Sequence, residues 1–148
     1  MTLRIRPVEP EDRDAWGELF RAYGVFYETE FGEDVLDGVW AWLMDPAHEV
    51  GALVAEDAGR LVGLAHIRRV ADTFTARPGW FLDDLYVVPE ARGGGVARAL
   101  IERGYADASA AGGGTFRWIT ADDNTTAQRL YDRIATRARW ITYEKELG

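Results

Sequence analysis

Residues Arg92-Gly93-Gly94-Gly95-Val96-Ala97 stand where a chain can hold a pyrophosphate. A strand-like run from Trp80 to Val88 stops at Pro89, and an apolar helix-like run begins near Val96. The first N–H groups of a helix have no intrahelical partner, and the helix dipole adds positive character there. Glycines let the main chain approach a ligand closely and accept positive φ. The backbone amides of Gly93, Gly94, Gly95, Val96, Ala97 and Arg98 are therefore candidate phosphate donors, with Arg92 as a fixed cation beside them. Two familiar phosphate loops do not fit. A Walker-type loop ends in Gly-Lys-Ser/Thr, and this turn has no lysine. A dinucleotide fingerprint, Gly-x-Gly-x-x-Gly, belongs to the first strand of a chain, whereas this turn lies deep in the sequence.

Asp83 and Asp84 are consecutive within the strand that leads into this turn, flanked by Leu82 and Leu85. A carboxylate in such a place is costly to bury unless it is held or used. Successive strand residues point to opposite faces, so one of the two is expected to look into a site, and Asp83 is favoured. Cysteine is absent, which removes thiol nucleophiles, disulfides and thiolate metal ligands. His48 and His66 have no ligand partner at metal spacing, so no metal is expected.

The 148 residues suffice for a single domain, expected to span 1–148, and a 47% hydrophobic content indicates a folded chain. The net charge of −8 argues against a general nucleic-acid surface and suits a cationic acceptor such as an amine. No apolar run is long enough to span a bilayer, and Met1 to Pro7 lacks a signal-peptide core, so a cytoplasmic protein without membrane contact is expected.

Hydrophobic periodicity and turn residues set the positioning elements. Leu3–Arg6 reads as a strand. A helix follows from Glu9-Pro10, with Ala15, Trp16, Leu19, Phe20 and Tyr23 on one face. A second helix covers Glu33–Met44. Gly51–Glu56 and Leu61–Val70 form a hairpin across Asp57–Arg60, and Ala71–Pro78 reads as a loop. Beyond the strand Trp80–Val88, a helix covers Val96–Ala111 and closes at Gly112-Gly113-Gly114. Thr115–Thr120 is a strand, Asn124 caps a helix that reaches Ile134, and Trp140–Glu146 alternates as a final strand. The expected fold is α/β, with one mixed sheet, helices on both faces and the order β-α-α-β-β-β-α-β-α-β.

The turn Arg92-x-x-Gly95-x-Ala97 resembles the acetyl-CoA signature of the GNAT family of N-acetyltransferases. Asn124-Thr125-Thr126-Ala127-Gln128-Arg129-Leu130-Tyr131 resembles that family's second segment, Asn-x-x-Ala-x-x-Leu/Phe-Tyr, and the element order matches its fold over almost the whole chain. One departure is Ile134-Ala135-Thr136-Arg137-Ala138-Arg139-Trp140, where many members carry Lys/Arg-x-Gly-Phe.

The resemblance implies transfer of an acetyl group from acetyl-CoA to an amine. It implies a gap between the strands Trp80–Val88 and Thr115–Thr120, where the pantetheine arm pairs with main chain of Leu85, Tyr86 and Val87. It places Tyr131 as the acid for the departing thiolate and Asn124 near the cofactor. The first two helices and their loop, including Tyr27 and Glu28, then line the acceptor pocket, where aromatics beside carboxylates can cage a cation. Leu82-Asp83-Asp84-Leu85 is similar to the acidic pair of polyamine acetyltransferases, which makes a diamine or polyamine the first expected acceptor. An amino acid, an antibiotic, a protein amine, or a CoA-binding sensor without turnover are the alternatives. A homodimer is expected, with the second helix or the last strand as its interface.

Overall fold

A computed structural model describes residues 2–148. Five strands form a single sheet in the order of the chain: β1 (Leu3–Pro7), β2 (Val50–Asp57), β3 (Arg60–Asp72), β4 (Arg77–Val87) and β5 (Phe116–Trp118). The first four are antiparallel, and β5 lies parallel to β4 because a helical crossover joins them. Four helices complete the fold: α1 (Arg13–Phe26), α2 (Glu33–Leu43), α3 (Val96–Ala110) and α4 (Thr125–Ile134).

Neighbouring residues of β3 show how the layers are arranged. The His66 ring meets Trp16 of α1. Ile67, pointing the other way, lies where Gly104 of α3 comes closest to the sheet. A Cβ at Gly104 would sit 2.6 Å from Ile67 Cδ1 and 3.1 Å from Phe116, so glycine is what lets α3 pack this close. α1 and α3 therefore cover opposite faces, and α2 joins α1 through Trp16 and Trp40, whose rings are 5.0 Å apart. Trp16, Leu36, Leu64 and Leu100 are fully buried between these layers.

One polar cluster pins the N-terminal strand. Arg6 on β1 is buried and donates to both oxygens of Asp12, at 2.7 and 3.0 Å, and to Glu56 on β2 at 3.0 Å. Asp12 also accepts the Glu9 N–H at 2.7 Å. It closes the tight turn Pro10–Asp12 that starts α1, so the helix proper begins three residues later than Pro10 suggests.

The structure departs from the sequence reading at three places. The loop expected over Ala71–Pro78 shrinks to a four-residue turn, residues 73–76, because β3 and β4 stay paired out to Asp72 and Arg77. β5 is shorter than Thr115–Thr120. The final strand expected over Trp140–Glu146 does not form: residues 136–148 are neither helix nor strand. Alternating residues make a strand only when an edge is there to pair with, and this tail leaves α4 through an extended Ala135 without meeting its own sheet. The observed order thus ends at α4.

Candidate active site

β4 is the spine of the site. Its ladder with β5 covers only Trp80, Phe81 and Leu82. From Asp83 to Val87 it keeps β3 on one side and has no strand on the other. Main-chain groups around Leu85, Tyr86 and Val87 thus have no strand beside them on the β5 side. Arg92 folds back over the end of this strand: its Nε donates to the Val87 carbonyl at 3.0 Å, and its guanidinium lies 5.7 Å from the Tyr86 ring centre.

The glycine turn has the geometry of an anion cradle. Gly93 and Gly95 adopt φ of 83° and 84°, a left-handed conformation that favours glycine. Gly95 is the N-cap of α3 and offers no side chain to the helix start. The Ala99 N–H bonds the Gly95 carbonyl at 3.0 Å, so the amides of Val96, Ala97 and Arg98 before it lack helical partners. The Arg98 side chain is engaged with Glu102 at 2.7 Å and offers the cradle only its N–H. This donor set suits a pyrophosphate, and the groups needed to hold CoA are present.

The acidic pair behaves differently from simple alternation. His66 pairs with Asp84 and Ile67 with Leu82, so Asp83 is an extra residue in β4, a β-bulge. Both acidic residues line one cleft of about 360 Å³, together with Phe20, Val39, Trp42, His48, Glu49 and Arg68. Both aspartates line this cleft, so strand alternation alone does not single out Asp83. Asp83 is held by Arg68, whose Nε and NH2 reach it at 3.0 and 3.1 Å. The hydrogen bond to Asp83, and then the charge of that carboxylate, hold the Arg68 pKa above its ordinary value.

Asp84 has partners of another kind. Trp16 Nε1 donates to His66 Nε2 at 3.0 Å. An indole can only donate, so Nε2 is the acceptor and the ring proton sits on Nδ1, which reaches Asp84 Oδ2 at 2.8 Å. The Tyr23 phenol also faces Asp84; burial, and then the nearby carboxylate, push the Tyr23 pKa far above its usual value. Among the described residues, no arginine or lysine forms a salt bridge with Asp84. It is a carboxylate oriented by neutral donors at a cleft wall, with its charge uncompensated.

Tyr131 lies on α4 against Trp118 of β5, with ring centres 5.4 Å apart. Burial, followed by the nearness of Tyr27, raises its pKa, so the phenol keeps its proton at neutral pH. The Tyr23 and Tyr27 rings lie 5.0 Å apart. Asn124 caps α4 by accepting the Ala127 N–H at 3.2 Å. Tyr27 and Glu28 do not line the cleft that holds the two aspartates. Tyr27 sits beside Tyr23, and Glu28 closes α1 with φ of 56°. Among the described residues, no three acidic or histidine side chains assemble into a metal-binding group.

Residues 13–135 match the family described as Acetyltransferase (GNAT) family. The chain belongs to this family. Its relatives include the D-amino-acid N-acetyltransferase HPA3 of Saccharomyces cerevisiae (strain ATCC 204508 / S288c), 30% identical over 143 residues, which span 95% of this chain and 89% of that one. A solved structure of a probable acetyltransferase is 25% identical, with TM-score 0.88 and 98% of each chain covered. The aminoglycoside acetyltransferase AAC(6')-Iy shares the fold, with TM-score 0.85, 20% identity, and 99% and 100% of the two chains covered. The protein is a GNAT acetyl-CoA-dependent N-acetyltransferase.

Sequence reasoning missed His66, Trp16 and Arg68 as parts of this site, whereas Tyr23 falls in the helix and loop region expected to line the acceptor pocket. A signal existed for His66: it is the one polar side chain in Leu61–Ile67, an otherwise apolar run, and such a residue needs a buried partner. That partner, Asp84, comes from the adjacent strand, and the register that joins them depends on the bulge.

Proposed function

We propose that this GNAT enzyme acetylates the primary amine of a small amino acid, with Asp84 as the group that receives and deprotonates it. The observation that carries this reading is the cleft holding Asp84 and Arg68 together: a carboxylate without a cationic partner for the ammonium group, and a guanidinium, shared with Asp83, for a carboxylate. HPA3, similar over nearly the whole chain, is named for D-amino acids, which supports the same acceptor class.

Acetyl-CoA supplies an activated acetyl thioester when bound. The amides of Gly93 to Arg98 hold its pyrophosphate, and Arg92 swings from the Val87 carbonyl to join them. The unpaired edge of β4 aligns the arm, and an N–H there donates to the thioester oxygen as charge develops. Asp84 Oδ1, the oxygen not bound to His66, takes the amine proton, while His66 and Tyr23 keep the carboxylate in place. Tyr131 donates its phenolic proton to the departing sulfur. Asn124 supports this end of the site by fixing the first turn of α4.

A diamine or polyamine is the second reading. Asp83, Asp84 and Glu49 outnumber Arg68 around the cleft, and such an excess favours an acceptor without a carboxylate. Release of free CoA, followed with a thiol reagent, distinguishes the two; a chain without cysteine adds no background. The panel holds D- and L-amino acids, putrescine, spermidine and an aminoglycoside. Turnover with amino acids but not their methyl esters supports the first reading. Preference for putrescine or spermidine supports the second and removes the first.

A further inference from the structure

The two neighbouring carboxylates of β4 have different kinds of partner. Asp83 is held by the guanidinium of Arg68, a permanent cation. Asp84 is held by His66, which is a cation only when it takes up a second ring proton. An imidazolium 2.8 Å from Asp84 would make the two pairs alike. It would also weaken Asp84 as a base, because an opposite charge stabilises a carboxylate against protonation. The group on the far side of the imidazole therefore matters to the chemistry.

That group is the indole of Trp16. Its Nε1–H donates to His66 Nε2 from 3.0 Å, and an imidazolium would set a second N–H against it. Neither ring has room to turn away. Trp16 and His66 are exposed by 0 and 2%. Around the Trp16 ring centre, Trp40 lies at 5.0 Å, Phe20 at 5.5 Å and the Arg13 guanidinium at 5.4 Å. The Phe20 ring also stands perpendicular to His66 at 4.8 Å. Turning the imidazole over exchanges its nitrogens but still leaves one against the indole and the other against Asp84. Protonation would thus strand two buried N–H groups, and unmade buried hydrogen bonds are costly. Among the described residues, His66 bonds only Trp16 and Asp84 with its ring. Its neighbour on β2, Ala52, has nothing to titrate, and Tyr23 faces Asp84. The other charged or titratable groups of the cleft are Arg68, Asp83, His48 and Glu49.

We infer that Trp16 is a positioning residue for acetyl transfer: by occupying His66 Nε2 it keeps the imidazole neutral, and so keeps Asp84 without a cationic partner. The inference rests on the reading of Asp84 as the base. It gives the buried pair a task beyond packing. His66 supplies Asp84 with the orienting N–H of an ion pair but not with its charge. The carboxylate is fixed in direction and keeps its affinity for the amine proton. Arg68 could orient a carboxylate equally well, but only together with a positive charge.

The test is ¹⁵N NMR of the imidazoles in the full chain between about pH 5.5 and 8.5, the span in which a histidine ordinarily titrates, beside Trp16→Phe and His66→Gln. The chain has two histidines, so the signals lost in His66→Gln are those of His66. In the parent, the proton on Nδ1 is expected to be the only one on the ring throughout. In Trp16→Phe, Nε2 is released and His66 should take up a second proton within the same span. A parent His66 that becomes doubly protonated overturns the inference, and so does a His66 that stays neutral in Trp16→Phe. Release of CoA with the amine ranked first in the panel gives the consequence. The loss of kcat in Trp16→Phe should be about tenfold greater at pH 6 than at pH 8.5, since a cation at this distance lowers a carboxylate pKa by about 1–3 units. An equal loss at both pH values, with His66 titrating, leaves the lock standing and removes Asp84 as the base. His66→Gln covers the case in which Trp16→Phe does not fold. Glutamine accepts from the indole and donates to Asp84 with no charge, so kcat should stay within about tenfold of the parent with the same pH dependence. A loss of about a hundredfold or more would mean that the imidazole itself moves a proton, and would overturn the inference.

Discussion

Replacing Asp84 with asparagine separates the charge of this side chain from its place in the fold. The native carboxylate accepts the His66 Nδ1 proton at 2.8 Å and faces the Tyr23 phenol. Asparagine keeps one oxygen of nearly the same size, which accepts from the same donors. Hydrogen bonds to a charged group contribute about 1.5–3 kcal/mol and neutral ones about 0.5–1.5 kcal/mol, so the substitution costs about 1–2 kcal/mol of stability. For a chain of this length that lowers Tm by roughly 3–8 °C. The effect on turnover is of another size. Removing a positioned general base costs about 10²–10⁴ in rate, or about 3–5 kcal/mol of transition-state stabilisation. Steady-state release of CoA, with the amine and acetyl-CoA varied in turn, is the assay. A fall in kcat marks proton transfer, whereas a rise in amine KM alone marks ground-state binding of the ammonium group. Asp83→Asn is the control. It leaves the Asp84 network untouched and should change kcat by less than about tenfold. If Asp84→Asn retains kcat within about threefold of the parent, Asp84 is not the base. If Asp83→Asn falls by the larger factor, the base is Asp83, and the geometric argument from the bulge fails.

Three other substitutions probe separate parts of the structure. Tyr131→Phe removes only the phenolic oxygen and should lower kcat by about 10² or more with Tm nearly unchanged; a loss below about twofold argues against an acid role. Gly95→Ala introduces a Cβ into open space, so its cost is the left-handed backbone alone, about 1–2 kcal/mol, and it should raise KM for acetyl-CoA well before it affects KM for the amine. Asp12→Asn breaks a buried ion pair and should destabilise by about 3 kcal/mol in urea titration, near the low end for such losses because Glu56 still holds Arg6. The pH dependence follows from the hydrogen bond with Arg6, which keeps the folded pKa of Asp12 below the ordinary carboxylate range. Its stabilisation is therefore present above about pH 4 and lost as pH falls through the lower folded value, so the parent's stability should decline with acid more steeply than that of Asp12→Asn.

Local chemistry made much of the fold legible in the sequence. Gly93 and Gly95 announce the cradle because a positive φ is a property of single residues. The helices announce themselves because Trp16, Leu19 and Phe20 repeat at helical spacing and are buried. What stayed hidden depends on pairing between distant strands. Arg68 and Asp83 are separated by a hairpin, and no spacing rule joins them. The tail failed for a related reason: Trp140–Glu146 has strand character in its residues, but a strand is a relation between two segments, and no segment of the sheet pairs with this one.

The bulge at Asp83 unites the two halves of the site. Pairing between β4 and β5 ends at Leu82, the residue directly before the extra one. A bulge bends its strand and increases the local twist, so β4 turns away from β5 at the point where the gap for the cofactor arm begins. The same insertion breaks the alternation that would have sent Asp83 and Asp84 to opposite faces, and it sets the register that puts Asp84 beside His66. On the proposed reading, this one inserted residue both opens the channel for the acyl donor and aims the carboxylate for the acceptor amine. The prediction this carries is a coupled one. Deleting Asp83 would restore a regular strand, and it should weaken acetyl-CoA binding and abolish turnover together, even though Asp83 itself need not touch either substrate. A deletion variant that folds, binds acetyl-CoA with unchanged affinity in calorimetry and loses only turnover would show that the channel does not depend on the bulge.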